Sequence, residues 1–136
     1  MPPETKHISL EWTEALRFTG TAANGLTIKI DGDNETAPGP MLQLLFAAAS
    51  CTASDIVLIL EKMRQPLAEF SMEATGTRRE QEPRRYVALH LIYRCKGEGL
   101  DEAKVRRAVE LSVEKYCSVL SSLASDTKIT YDVEVG

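Results

Sequence analysis

The sequence predicts a single α+β domain with the element order βββ-α-ββ-α-β. Three observations carry this expectation. Several short stretches alternate apolar and polar residues at period two, the pattern of half-buried strands. Two other segments carry apolar residues at helical spacing. The strand-like stretches come in runs of three, two and one around those segments, which favours antiparallel pairing over a parallel sheet. At 136 residues the chain fits one domain, 1–136.

The elements follow in order. Ile8, Leu10 and Trp12 share one face of a first strand, Leu16 and Phe18 belong to a second, and Leu26, Ile28 and Ile30 to a third. Ala23-Asn24-Gly25 supplies the turn before the third, since Asn and Gly tolerate positive φ. Residues 31–40 form a polar loop ending in Pro40, a favoured first helical residue. Residues 41–62 then read as a long helix without Gly or Pro, and Asp55 is the only charge between Met41 and Leu60. Such a run is long enough to span a bilayer. Gln43, Ser50, Thr52, Ser54 and Asp55 interrupt it, however, and no other segment can form the centre of the domain, so a buried core helix is expected.

Two longer strands follow, one with Ala68, Phe70, Met72 and Ala74 and one with Val87, Leu89, Leu91 and Tyr93. A charged hairpin connection from Arg78 to Arg85 joins them. A second helix opens near Leu100-Asp101-Glu102, where acidic side chains suit the positive end of the helix dipole. Its stripe runs through Val105, Val109, Ser112, Val113, Tyr116, Leu120 and Leu123, and a last strand carries Ile129, Tyr131, Val133 and Val135.

Composition excludes several classes of function. The apolar fraction of 43% and charged fraction of 26% are those of an ordinary globular chain. Sixteen basic and twenty acidic side chains give a net charge of −4, without the basic surface that nucleic-acid binding requires. The arginines at 78–85 are interleaved with Glu80, Glu82 and Pro83 and read as a solvated hairpin tip. The opening Met-Pro-Pro-Glu-Thr-Lys lacks an apolar core, and three cysteines fit poorly with a secreted disulfide framework. A cytoplasmic chain with reduced thiols is therefore expected. His7 and His90 stand alone, no metal-ligand spacing occurs, and neither a Gly-rich phosphate loop nor a Gly-x-Ser-x-Gly elbow is present. No metal or cofactor is expected.

The cysteines are the remaining candidates for chemistry. Cys51 sits mid-helix on a face with Leu44, Ala47, Ala48, Ser54, Asp55 and Leu58. It is either a structural cysteine, as buried free cysteines commonly are, or a nucleophile. A mid-helix thiol gains nothing from a helix N-terminus, so activation needs a cation from elsewhere, and Asp55 one turn on opposes the thiolate. Cys117 lies late in the second helix at the border of its stripe, between Tyr116 and Leu120 on one side and Glu114 and Ser121 on the other, within reach of a small reagent. The two thiols can meet if the helices pack side by side, with register deciding. Cys95, at the end of the fifth strand, reads as ordinary strand packing.

Two segments resemble those of a known family. The run from Pro40 through Ser50-Cys51-Thr52-Ala53-Ser54-Asp55 to Val57 resembles the first-cysteine helix of the OsmC/Ohr superfamily, and Glu114-Lys115-Tyr116-Cys117-Ser118-Val119 resembles its second-cysteine segment. Both are closest in wording to the YhfA-like branch of OsmC-like proteins. The resemblance implies an OsmC-like fold, two central helices packed against antiparallel sheets in an intertwined homodimer. It also implies an antioxidant, stress-response peroxidase acting on organic hydroperoxides. On that model Cys51 is the peroxidatic cysteine and becomes a sulfenic acid, Cys117 resolves it as a disulfide, and an external dithiol restores both. An apolar pocket would favour alkyl peroxides, and no nucleic acid, membrane or cofactor is involved.

The sequence departs from that pattern in one respect. The peroxidase branches place a Glu just after the proline that opens the first helix, and Met41, Leu42 and Gln43 stand here instead. The family's activating arginine comes from the early strands, where Arg17 is the sole arginine. Two rival classes follow: a non-enzymatic module binding a small apolar or electrophilic molecule, and a redox sensor whose disulfide forms with negligible turnover.

Overall fold

The computed structural model describes residues 2–136, and the chain divides into two compact units, one running to Leu44 and the other Leu45–Gly136. The first unit is an antiparallel meander of β1 (Ile8–Glu14), β2 (Arg17–Ala22) and β3 (Thr27–Asp31), in the order β1-β2-β3. Gly25, at φ 90°, turns the chain between β2 and β3, and Leu26 N donates to Asn24 Oδ1 at 3.2 Å, as the Asn-Gly signal predicts.

The loop after β3 is organised by one carboxylate. Asp31 is almost fully buried and accepts from Asp33 N at 2.9 Å, Thr36 N at 2.9 Å, Thr36 Oγ1 at 2.9 Å and Arg17 Nε at 3.4 Å. The backbone N–H groups of Thr36 and Asp33 dominate in holding its carboxyl far below the usual carboxylate range. Its stabilising contribution is therefore present above the ordinary carboxylate range and disappears only as pH falls through the depressed folded value. The loop delivers the chain to Pro40, where helix α1 (Pro40–Lys62) begins. Gln43 Nε2 donates to Lys29 O and Pro38 O, each at 2.9 Å, fastening the first turn of the helix to the strand and loop before it.

The second unit holds the remainder of α1, the strands β4 (Glu69–Arg78) and β5 (Tyr86–Lys96), helix α2 (Glu102–Leu111), a π-helical turn Ser112–Tyr116, a short helix α3 (Ser118–Ser121) and β6 (Lys128–Val135). Asp101 caps α2 by accepting from Ala103 N at 2.9 Å, at the start the sequence predicts. The sheet order is β4-β5-β6. The α+β class and element order are as expected, with one difference in strand sense: β6 runs parallel to β5. A hairpin cannot join parallel strands, and here the crossover through α2 does so. The arginines at 78–85 hold the hairpin tip together, Arg78 Nε donating to Arg84 O and Arg79 Nε to Pro83 O, both at 2.7 Å.

The core of this unit joins Ile56 and Leu60 of α1, Leu91, Tyr93 and Cys95 of β5, Val105, Ala108 and Val109 of α2, and Val133 of β6. Helix α1 is long and apolar enough to cross a membrane on length and composition alone, and Ile56 and Leu60 place its second half inside this core instead. Only the stripe Ala48, Thr52, Ile56 and Leu60 is fully buried, at a spacing of one helical turn. Phe46, Val57 and Leu58 are exposed, as are Ile8, Leu10 and Trp12 of β1, so the helix is less covered than a central core helix and β1 is not half-buried in the single chain.

Leu60→Ala should cost about 2–5 kcal/mol in urea unfolding, and Leu58→Ala, two positions away and 56% exposed, less than about 1 kcal/mol. Equal losses would contradict the assigned face.

Candidate functional site

Cys51 lies on the flank of the buried stripe of α1, half-buried, with Asp55 one turn further on. What meets it comes from the end of α2. Cys117 N donates to Ser112 O at 2.8 Å, the five-residue hydrogen bond of a π turn, and Cys117 itself is extended at φ −71°, ψ 107°. One extra residue in a turn rotates everything after it by about 100° around the helix axis. The expectation of an unbroken helix with a border cysteine is thereby corrected. Cys117 is turned inward and 4% exposed, and Tyr116, expected on the apolar stripe, is 51% exposed.

The result is a compact cluster within the second unit. The Sγ atoms of Cys51 and Cys117 and a carboxylate oxygen of Asp55 all lie within 4.8 Å of one another. Ser112 Oγ donates to Asp55 Oδ2 at 2.9 Å, so the same π turn that presents Cys117 also orients the carboxylate. Thr52, buried beside them, donates its hydroxyl to Ala49 O at 3.0 Å. The Tyr93 hydroxyl, fully buried against Thr52, makes no hydrogen bond of normal geometry.

Burial sets the electrostatics of the cluster. It pushes the Cys117 thiol up to about 11; the Leu120 N–H, which donates to Cys117 Sγ at 3.4 Å, opposes the shift, and the Cys51 thiol adds to it. Burial likewise pushes the Tyr93 hydroxyl up to about 12; the neighbouring Thr52 hydroxyl opposes the shift, and Cys117, Tyr131 and Asp55 add to it. Cys117 is therefore a protonated thiol at neutral pH.

Arg17 is held within the first unit. Its guanidinium pairs with Glu14 at 3.1 Å, Asp31 at 3.4 Å and Glu35 at 3.7 Å, and of these Glu14 and then Asp31 raise its pKa further. It borders an open hollow of about 350 Å3 lined also by Thr13, Phe18, Lys29, Ile30 and Thr36. Cys95 is fully buried in the core, as expected for strand packing, and burial raises its thiol pKa. His90 bridges the β5–β6 ladder, facing Thr130 Oγ1 at 2.7 Å and Asp132 Oδ2 at 3.1 Å.

An α+β chain with a cysteine on each of two packed helical segments defines a class, and comparison with known proteins supplies its name. Residues 32–132 match the family model described as OsmC-like protein. Protein YhfA of Escherichia coli strain K12 is 42% identical over 127 residues, covering 93% of this chain and 95% of that one. The chain belongs to the OsmC-like family. A hypothetical protein from Aquifex aeolicus VF5 superposes with a TM-score of 0.89 at 32% identity, covering 98% of both chains. An organic hydroperoxide resistance protein from Legionella pneumophila shares the fold with a TM-score of 0.70 at 15% identity, covering 99% of this chain and 100% of that one.

Sequence reasoning named Cys51 and Cys117 and missed what surrounds them. Asp55 figured only as an opponent of the thiolate, Ser112 as a member of an apolar stripe and Tyr93 as a strand residue. The available signal was Ser112 itself, a hydroxyl at a position where the stripe otherwise asks for an aliphatic side chain.

Iodoacetamide at pH 8 should label Cys51 first, and Cys117, with about one thiolate per thousand molecules at that pH, at least ~10-fold more slowly. Raising the pH towards 11 should accelerate Cys117 progressively. Peptide mapping that found equal labelling at pH 8 would contradict the inward placement of Cys117.

Proposed function

We propose that the chain is a thiol-dependent peroxidase that reduces organic hydroperoxides in the cytoplasm. The observation that carries this reading is the pair of sulfur atoms, one half-buried on α1 and one buried on the π turn, within 4.8 Å of each other. The Cys51 thiolate attacks the distal peroxide oxygen. The O–O bond breaks, the alkoxide takes a proton and leaves as an alcohol, and Cys51 becomes a sulfenic acid. Cys117 then attacks the sulfenic sulfur, giving the disulfide and one water, and an external dithiol reduces the disulfide. Because Cys117 is protonated, the resolving step needs a base, and Asp55 is the carboxylate in reach. The name of the Legionella structure supports hydroperoxides as the substrate class.

One observation favours a second reading, a redox sensor with little turnover. Arg17, the cation this scheme assigns to activating Cys51, is already paired with three carboxylates, and the neutral Gln43 stands near the helix start, where the resemblance calls for Glu. The scheme also takes residues 1–136 as one domain working as a homodimer. Exposed Leu10, Trp12, Phe46 and Leu58 support this, because apolar side chains in such number call for a cover.

One equivalent of cumene hydroperoxide added to reduced protein should remove two hydrogens, mapping to Cys51–Cys117, with peroxide turnover in the presence of a dithiol. Cys117→Ser should stop at a sulfenic acid that dimedone traps, and Cys51→Ser should not react. Arg17→Ala should slow the first step by about 100-fold if the guanidinium stabilises the thiolate and leaving group; an unchanged rate removes it from the scheme. A disulfide without turnover selects the sensor, and an unchanged mass rejects both in favour of a binding module. Light scattering should return twice the 15.0 kDa of the chain, and a stable monomer would refute the dimer.

A further inference from the structure

The trio of Cys51, Cys117 and Asp55 has a second chemical capacity, independent of any peroxide. Zinc bound by two thiolates and a carboxylate takes bonds of about 2.3 Å to sulfur and about 2.0–2.2 Å to oxygen, which at the tetrahedral angle places the two sulfurs about 3.8 Å apart. The donor atoms here lie within 4.8 Å of one another, so closing on a metal asks for a shift of about 1 Å or less. Forming the disulfide requires the sulfurs to reach about 2.05 Å and asks for more movement. The ligands are held as metal ligands commonly are: Ser112 Oγ donates to Asp55 Oδ2 at 2.9 Å and fixes the carboxylate from behind. A separate observation points to a further ligand. The Tyr93 hydroxyl is fully buried beside Thr52, makes no hydrogen bond of normal geometry among the described residues, and lies close enough to Cys117 and Asp55 to respond to their charge. An oxygen ligand in the fourth position would give it one.

We propose that the reduced protein binds one zinc ion per chain through Cys51 Sγ, Cys117 Sγ and an Asp55 carboxylate oxygen, with the fourth position open to water. Binding replaces the two thiol protons, which leave to solvent, and the ion's two positive charges offset those of two thiolates beside a carboxylate. The site excludes the disulfide, since both use the same sulfurs. Oxidation of the zinc-bound thiolates by two electrons, by diamide for instance, forms the S–S bond and releases Zn2+, while the diamide takes up the electrons with two protons to become the hydrazide. The 66-residue separation that hid the site from any spacing motif is bridged by the packing of the π turn on α1.

Cobalt(II) reports such a site directly, through a thiolate-to-cobalt charge-transfer band in the near ultraviolet. The reduced full-length chain should develop this band to one equivalent and lose it when zinc is added. Cys51→Ser and Cys117→Ser should each weaken zinc binding at least ~100-fold, measured against a chromophoric chelator, and Asp55→Asn and Ser112→Ala about 10-fold. Cys95→Ser should bind as the unaltered chain does. Diamide-oxidised protein, whose sequence is unchanged, should give no band, so the test stands even where a cysteine variant fails to fold. Absence of the band in the reduced chain, or an equal band in the oxidised chain or in Cys117→Ser, would overturn the proposal. None of these readings uses a peroxide, so a failed peroxidase assay leaves the test intact.

Discussion

The hydrogen bond from Cys117 N to Ser112 O is the constraint from which the rest of the site follows. It spans five residues where an α-helix would span four, and so adds one residue to a single turn. Two side chains that an unbroken helix would carry on different faces, Ser112 and Cys117, are then both directed at α1. One takes hold of Asp55 and the other faces Cys51. Because the bond lies between backbone groups, it tolerates changes of side chain within the turn. Lys115 and Tyr116, which sit in the turn and stack as a cation over a ring, are free to face outward.

The site gathers proton donors around a single carboxylate. Two thiols, a carboxylate, a phenol and two aliphatic hydroxyls are gathered on the flank of an apolar core, and burial keeps Cys117 and Tyr93 protonated. That burial opposes a new negative charge on either of these two groups. The chemistry of the site therefore consists of events that remove or replace charge. Closing a disulfide converts two ionisable groups into none.

Much of this was legible in the sequence, for reasons that can be located. The strand pattern from Phe70 to Tyr93, the Asn24-Gly25 turn and the start at Pro40 are local signals, and local signals are what a sequence displays. The pairing of Cys51 with Cys117 depends on helix register, which periodicity left open and the family resemblance supplied. What stayed hidden was the extra residue of the π turn. A helical stripe continued smoothly through Tyr116 predicts it inside and Cys117 at the border, the reverse of what is found. The parallel sense of β6 was hidden too, because alternation in Ile129, Tyr131 and Val133 is the same whichever way the strand runs. The exposure of Trp12 and Phe46 has a similar origin: apolar periodicity shows that a face wants covering, and is silent on whether its own chain covers it.

The burial of Cys95 has a consequence for how the chain is made. In the unfolded chain Cys117 follows Cys95 by 22 positions and Cys51 by 66. Loop-closure entropy favours the shorter ring by about 1 kcal/mol, roughly five-fold, so random oxidation of the unfolded chain joins Cys95 to Cys117 more often than it joins the proposed pair, Cys51 and Cys117. In the folded chain Cys95 is at zero exposure, in one apolar cluster with Leu91, Tyr93 and Val133, so its thiol is withdrawn from oxidants in solvent. Folding ahead of oxidation, with the core closing over Cys95 first, therefore favours the Cys51–Cys117 pairing that the proposed function calls for. Once closed, it withdraws the one competing sulfur and leaves a two-cysteine system, so a third thiol costs the mature protein nothing in fidelity.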